Sequence, residues 1–347
     1  MSLSACITSV SGPELLLDER AFLKEASPWG LILMGRSCVS KPQVKALVDD
    51  IKSSLGRDAL IFIDQEGGRV ARLKAPEWPV FPSAAIYGEV YAVNADQGAA
   101  ACQLGHHLMA LELSELGICG DCAPVGDLRQ PTTHDAIGDR AFGYDVDAVS
   151  TLAAAALDGL KLGGVAGCIK HMPGQGRASV DSHYDLPKVD ASLEDLSLDF
   201  SVFEALAPKA LMGMTGHVSY DALSPDEAAT ISKQVISEII RERIGFDGLL
   251  MTDDLGMSAL GGTLTSRGEQ AKAAGCDILL HCSGFLSEPA EILREMEEVA
   301  EVAGDLSGEA LSRTQRVESS LTKPTPLDKL ASRAVLDEML SAIQARV

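Results

Sequence analysis

Gly164–His183 reads GVAGCIKHMPGQGRASVDSH. The apolar run Gly164 to Ile169 reads as a β-strand, and the ionisable groups begin where it ends. A Lys-His pair, a proline with punctuating glycines and an Asp-x-His pair then follow in one short segment. A hydrophobic core has no use for that mixture of charge and helix breakers. The segment therefore reads as a functional loop carried by the end of a strand.

The same arrangement recurs along the chain. β-rich runs occur at Ala5–Val10, Trp29–Met34, Leu60–Ile63, Ile118–Val125, Gly167–Lys170, Ala210–Thr215, Gly248–Thr252 and Asp277–His281. Segments of helical periodicity lie between them, at Lys41–Ser53, Asp96–Leu116, Val146–Leu162, Leu193–Leu206, Ser232–Ile244 and Arg267–Ala274. Alternation of this kind implies an α/β protein with parallel strands and crossover helices. Eight units in 347 residues predict a (β/α)8 TIM barrel, with a doubly wound open sheet as the alternative. Glu288–Ala303 and the stretch from Leu327 to the end read as a C-terminal helical extension. No Ser/Gly/Pro-rich linker divides the chain, so residues 1–347 are expected to form one domain.

A barrel makes a sharp demand, because its functional groups belong just past the C-terminal ends of the strands. Asp64 follows the third run and Asp127 the fourth; Lys170 and His171 follow the fifth, and His217 the sixth. Asp253 and Asp254 follow the seventh, and His281 ends the eighth. Converging at one mouth, these groups make a polar pocket suited to a hydroxyl-rich ligand.

The formal net charge of −21 argues against nucleic acid or an anionic membrane as partner, since polyanion binding needs clustered Lys and Arg. It leaves room for an anionic small substrate in a local basic pocket. The N-terminal MSLSACITSV lacks the basic and apolar regions of a signal peptide, and no apolar run is long enough to span a bilayer. A cytoplasmic location is therefore expected. The eight cysteines suit free thiols in a reducing compartment. Cys119-x-x-Cys122 invites a metal or redox reading, but in a strand positions three apart face opposite sides, and no second pair lies nearby. No metal and no cofactor are expected.

Met251–Met257, MTDDLGM, puts two carboxylates on the last turn of a strand before a helix. Either Asp253 or Asp254 would serve as a helix N-cap; their place at a barrel strand end favours one functional carboxylate. In Asp181-Ser182-His183, an extended backbone would put both ionisable side chains on one face. The carboxylate would then fix the imidazole tautomer, raise its basicity and leave the other nitrogen free for proton transfer. The plain alternative is an Asx-turn. Gly174 and Gly176 would let the loop move. GxSxG, Walker A and a strand-to-helix GxGxxG are all absent, which leaves carboxylate and imidazole chemistry.

With these residues in view, the chain resembles the bacterial β-N-acetylglucosaminidases of glycoside hydrolase family 3, single-domain enzymes of peptidoglycan recycling. The matching motifs are WGLILMGRS (29–37), IFIDQEGGRVARL (61–73), CAPVGDL (122–128) and IGDRAFG (137–143). They continue through KHMPGQG…DSH (170–183), MGMTGHVSY (212–220), MTDDLGM (251–257) and AAGCDILLH (273–281). The resemblance implies that Asp253 is the nucleophile and His183, oriented by Asp181, the general acid/base. That departs from the usual pair of carboxylates in retaining glycosidases. It further implies that Asp64, Arg72, Arg140, Lys170 and His171 bind the terminal N-acetylglucosamine, with Arg72 and Asp127 equally able to brace the barrel mouth.

The implied activity is retaining removal of β-linked N-acetylglucosamine from cytoplasmic muropeptides of the 1,6-anhydro-N-acetylmuramoyl type. Phosphorolysis at the same site is the alternative, because an imidazole tolerates an anionic acceptor better than a second carboxylate would. The expected partner is a small glycan, and the expected state a monomer or weak homo-oligomer. Gln175 stands where the family often has His, Gly35-Arg36-Ser37 replaces Ala-Arg-Asn, and Ala228-Ala229-Thr230 lacks the customary proline. These departures bear on loop behaviour and leaving-group preference.

Overall fold

A computed structural model of the chain describes residues 2–341. Eight parallel strands form its centre: β1 (Ser4–Thr8), β2 (Pro28–Leu33), β3 (Leu60–Ile63), β4 (Gly120–Asp121), β5 (Ala166–Met172), β6 (Met212–Thr215), β7 (Leu249–Met251) and β8 (Leu279–Leu280). They pair in the order β7-β6-β5-β4-β3-β2-β1-β8. A parallel bridge between Met251 and Ile278 joins the two ends, and the Asp277 amide donates to the Leu250 carbonyl at 2.8 Å. The sheet is thus closed into the (β/α)8 barrel expected from the alternation, and the open-sheet alternative is excluded.

Around it run α1 (Leu17–Ala26), α2 (Lys41–Leu55), α3 (Ala84–Val93), α4 (Ala95–Glu115), α5 (Val146–Leu162), α6 (Leu193–Leu206), a π-helical segment (Val235–Arg243), α7 (Leu264–Ala274) and α8 (Pro289–Ala303). Local sequence sets their ends. Ser40 accepts the Gln43 amide to start α2, Asp145 the Ala148 amide to start α5, and Thr263 the Ser266 amide to start α7. Gly275, at φ 119°, ends α7 in the left-handed region that glycine alone enters freely.

Each helix lays an apolar stripe on the barrel, as Val44, Leu47, Val48 and Ile51 do from α2. Strand packing depends on size complementarity. A Cβ at Gly30 or Gly120 would lie 2.8 or 2.3 Å from the Phe62 ring, so the glycines of β2 and β4 make the slot that Phe62 fills.

Several boundaries differ from expectation. Ile118–Val125 pairs regularly only at Gly120–Asp121, partly because Pro124 has no N–H to give; Val125 still bridges to Lys170. Asp277–His281 shortens to Leu279–Leu280, and Ser232–Ile244 winds as a π-helix over Val235–Arg243. Beyond the barrel lie α9 (Gly308–Ser320) and α10 (Lys329–Ser341), the latter packed on α3 and α4. The last six residues of the expected C-terminal helix lie outside the described residues. α9 carried little signal, because it buries only Thr314 and Val317. Among the described residues no helix is long and apolar enough to cross a membrane.

Candidate active site

The strand ends open into a cavity of about 340 Å³, lined by Asp64, Lys170, His171, Asp181, His183 and Asp253 among others. That volume is in the range of small-molecule sites. A larger groove of about 580 Å³ between α1 and α8 offers only carboxylates and apolar groups, with no imidazole or cation. The cavity at the barrel mouth brings imidazoles, carboxylates and cations together, which makes it the candidate site.

The floor is a web of ion pairs. Arg72 donates to Asp64 Oδ2 at 2.7 Å, and Lys170 Nζ lies 3.4 Å from Asp64 Oδ1. Lys170 also stands 2.7 Å from Glu66, which accepts Nε and Nη2 of Arg140 at 2.8 Å each in a bidentate fork. Burial alone would raise the Glu66 pKa, yet Arg140 and Lys170 pull it well below the ordinary carboxylate range. Burial likewise opposes the charge on Lys170, but Glu66 and Asp64 raise its pKa. In all five groups the paired charges outweigh burial and favour the ionised form.

Glu66 was not anticipated. It sits in a short hairpin in which Gln65–Gly67 pairs with Val70–Ala71, directly after β3, and Arg140 arrives from a loop seventy-four positions away. The only available signal was a charged residue next to a glycine pair in Asp64-Gln65-Glu66-Gly67-Gly68.

Asp127 is fully buried and serves β5. Its Oδ2 meets His171 Nδ1 at 2.6 Å, and its Oδ1 accepts the amides of Gln175 at 2.7 Å and His171 at 3.3 Å. Thus Asp127 braces an imidazole and not Arg72. The other nitrogen, His171 Nε2, faces Asp253 Oδ2 at 4.0 Å.

The adjacent acids of β7 divide cleanly. Asp253 Oδ1 accepts only the Asp254 amide, at 2.8 Å, and its carboxylate opens on the cavity. Asp254 Oδ1 accepts the amides of Gly256 and Cys282 at 3.0 Å and lies 3.0 Å from His281 Nδ1. Burial would raise the Asp254 pKa, but His281 and these amides hold it at about 2. His281 is itself pushed up to about 9; burial opposes its charge, and Asp254 and Glu295 prevail. Asp254 is therefore a brace that ties β7 to β8.

His217 is buried beneath the same turn, with Nδ1 2.7 Å from Thr230 Oγ1 and Nε2 3.0 Å from the Asp254 carbonyl. Of the groups expected at the mouth, His217 and His281 thus support it from behind.

The Asp181–His183 pair lines the cavity with Asp253. Its geometry is not that of an extended strand. The segment is a turn in which Asp181 Oδ1 accepts the His183 amide at 3.0 Å and faces His183 Nδ1 at 2.7 Å. The Asx-turn and the dyad, weighed as alternatives, are one structure. Partial burial pushes the Asp181 carboxyl up, and the His183 amide and imidazole bring it below its ordinary value.

The loop is docked on the β7 side, where the Ser258 and Ala259 amides donate to the carbonyls of His183 and Ser182 at 3.3 and 3.2 Å. Gln175 Nε2 adds a bond to Ser182 Oγ at 3.2 Å. A Cβ at Gly176 would sit 1.8 Å from the Leu128 carbonyl oxygen, so this glycine serves close packing. The cysteines are free thiols, Cys38 and Cys119 half-buried and the other six buried.

The chain is similar in sequence and fold to known proteins. Residues 12–319 match the model of the glycosyl hydrolase family 3 N terminal domain. A beta-hexosaminidase of Methylococcus capsulatus is 38% identical over 276 residues, covering 78% of this chain and 80% of the relative. One from Bordetella avium is 34% identical over 289 residues, covering 80% of each. The crystal structure of NagZ from Neisseria gonorrhoeae in complex with N-trifluoroacetyl-D-glucosamine superposes with a TM-score of 0.81 at 27% identity, covering 98% of this chain and 99% of that one.

Proposed function

Since this chain belongs to glycoside hydrolase family 3, we propose that it is a retaining exo-β-N-acetylglucosaminidase built on a single (β/α)8 domain. The observation that carries this reading is the meeting, in one cavity, of an open carboxylate on β7 with an Asp-braced imidazole. The sugar sits on the floor of the cavity. Asp64 accepts hydrogen bonds from its hydroxyls, while Lys170, Arg72, Arg140 and His171 present donors to its oxygens.

Asp253 Oδ2 attacks the anomeric carbon and forms a glycosyl ester as the bond to the leaving oxygen breaks. The His183 imidazolium gives its Nε2 proton to that oxygen while Asp181 holds the ring through Nδ1. In the second half, neutral His183 takes a proton from water, the water oxygen attacks the anomeric carbon, and Asp253 departs as carboxylate. Two inversions give net retention, and both catalysts return to their starting states. A neutral imidazole at the acid/base position also avoids the repulsion that a second carboxylate would bring to an anionic leaving group.

The substrate class is cytoplasmic muropeptides bearing N-acetylglucosamine on 1,6-anhydro-N-acetylmuramic acid, released during peptidoglycan recycling. The beta-hexosaminidase relatives support the sugar. The test is a substrate panel of aryl N-acetyl-β-glucosaminide, aryl β-glucoside and a 1,6-anhydromuropeptide, each with and without phosphate. Cleavage of the first and third, with free sugar of β configuration as the initial product, is expected. Preference for the glucoside, or phosphate-dependent release of sugar 1-phosphate, would overturn the assignment.

A further inference from the structure

Phe285 is a large aromatic left 60% exposed in a turn that is nonetheless fixed. Ser283, at φ 45°, donates from Oγ to Glu295 Oε2 at 2.6 Å, and the Leu286 amide closes the turn on the Ser283 carbonyl at 3.2 Å. A single exposed apolar ring is ordinary on a protein surface; what sets this one apart is the group beside it. The Phe285 and His183 rings are T-shaped to one another, with centroids 6.0 Å apart and planes at 76°. Both rings line the cavity that contains Asp253. Met34 lies against the same turn, its Cε 3.6 Å from where a Cβ on Gly284 would stand, and Met34, Met257 and Gly284 line the cavity with Phe285.

We propose that Phe285 is a positioning and specificity-determining residue on the leaving-group side. Its contact steers the His183 imidazole, and its exposed surface packs against the C–H face of the sugar ring that departs. The inference rests on the glycosidase reading above and adds to it the platform for the second ring. Contact energy with a remote part of the substrate is thereby used to align the proton donor with the leaving oxygen.

The test compares wild type, F285A, F285L and F285Y, each checked for an unchanged thermal unfolding curve. The substrates are a β-1,4-linked N-acetylglucosamine disaccharide and N-acetyl-β-glucosaminyl fluoride, whose leaving group is one atom with no ring to stack. F285A and F285L are expected to lose about 10-fold or more in kcat/KM on the disaccharide and less than about 3-fold on the fluoride, with F285Y close to wild type on both. The alkaline limb of the disaccharide pH profile should move in F285A and return in F285Y. Equal losses on both substrates, no loss on the disaccharide, or an unmoved limb would overturn the proposal. A wild-type enzyme that cleaves neither substrate would overturn the glycosidase reading itself.

Discussion

Asp181 Oδ1 receives the His183 backbone amide at 3.0 Å and faces the His183 Nδ1 at 2.7 Å. One oxygen thus sets both the backbone turn and the ring, so the dyad is ordered by local chain geometry before any substrate arrives. Asp181→Asn keeps an acceptor but removes the carboxylate that faces His183 Nδ1. It is expected to lower kcat/KM about 10- to 100-fold on a poor leaving group and little on a good one. Steady-state kinetics on the two substrate types checks this, and equal rates on both would remove Asp181 from the mechanism.

Glu66 is the anchor of two buried cations. Glu66→Gln would leave Lys170 and Arg140 short of their shared counter-charge, in a place where their side chains are only 3% and 12% exposed. Breaking a buried pair in this way costs about 3–5 kcal/mol. Urea unfolding should show a loss of that order, with a fall in sugar affinity. A change below about 1 kcal/mol would mean that Asp64 alone carries the floor.

The brace behind β7 makes stability depend on pH in two windows. The folded pKa of His281 is raised from 6.5 to about 9, so its contribution is full below 6.5 and lost as pH climbs toward 9. The folded pKa of Asp254 is lowered from 3.8 to about 2, so its contribution is full above 3.8 and lost as pH falls toward 2. Urea midpoints measured across the alkaline window should decline in the wild type and flatten in His281→Asn. Parallel declines would assign the effect to other groups.

Gly176 marks where the loop that carries Asp181 and His183 packs on the Leu128 backbone. With 1.8 Å between a Cβ and the Leu128 carbonyl oxygen, Gly176→Ala must shift backbone. The expected cost is about 1–3 kcal/mol, together with a lower kcat from a displaced dyad. Unchanged stability and kinetics would show that the loop is free of that contact.

Much of this was legible in the sequence, because barrel strands are apolar runs with ionisable residues at one end. Asp64, Lys170, His171 and Asp253 were found that way, and the structure gathers them around one cavity. Where reading stopped, the cause was three-dimensional. Asp253 and Asp254 are the same residue type side by side, and only the Cys282 amide and His281, brought by the neighbouring strand, show which one is occupied. Glu66 acquires its role from Arg140, far along the chain. Phe285 follows a Ser-Gly turn that looks like any other, and its meaning comes from the His183 ring beside it. For Asp127 the sequence left a sugar contact and a brace on Arg72 equally open; in the structure it holds His171, because β5 runs beside the chain that carries it.

Covalent capture at Asp253 tests the central claim most directly. An N-acetylglucosaminide fluorinated on the ring, with an activated leaving group, slows both steps, and the good leaving group lets the ester accumulate. Intact-mass and peptide mass spectrometry should find one fluorinated sugar bound per chain, on Asp253 in the Met251–Met257 segment, and no adduct in Asp253→Ala. A label on Asp254, Asp64 or another carboxylate, or turnover of the probe with no covalent adduct at any time, would contradict it.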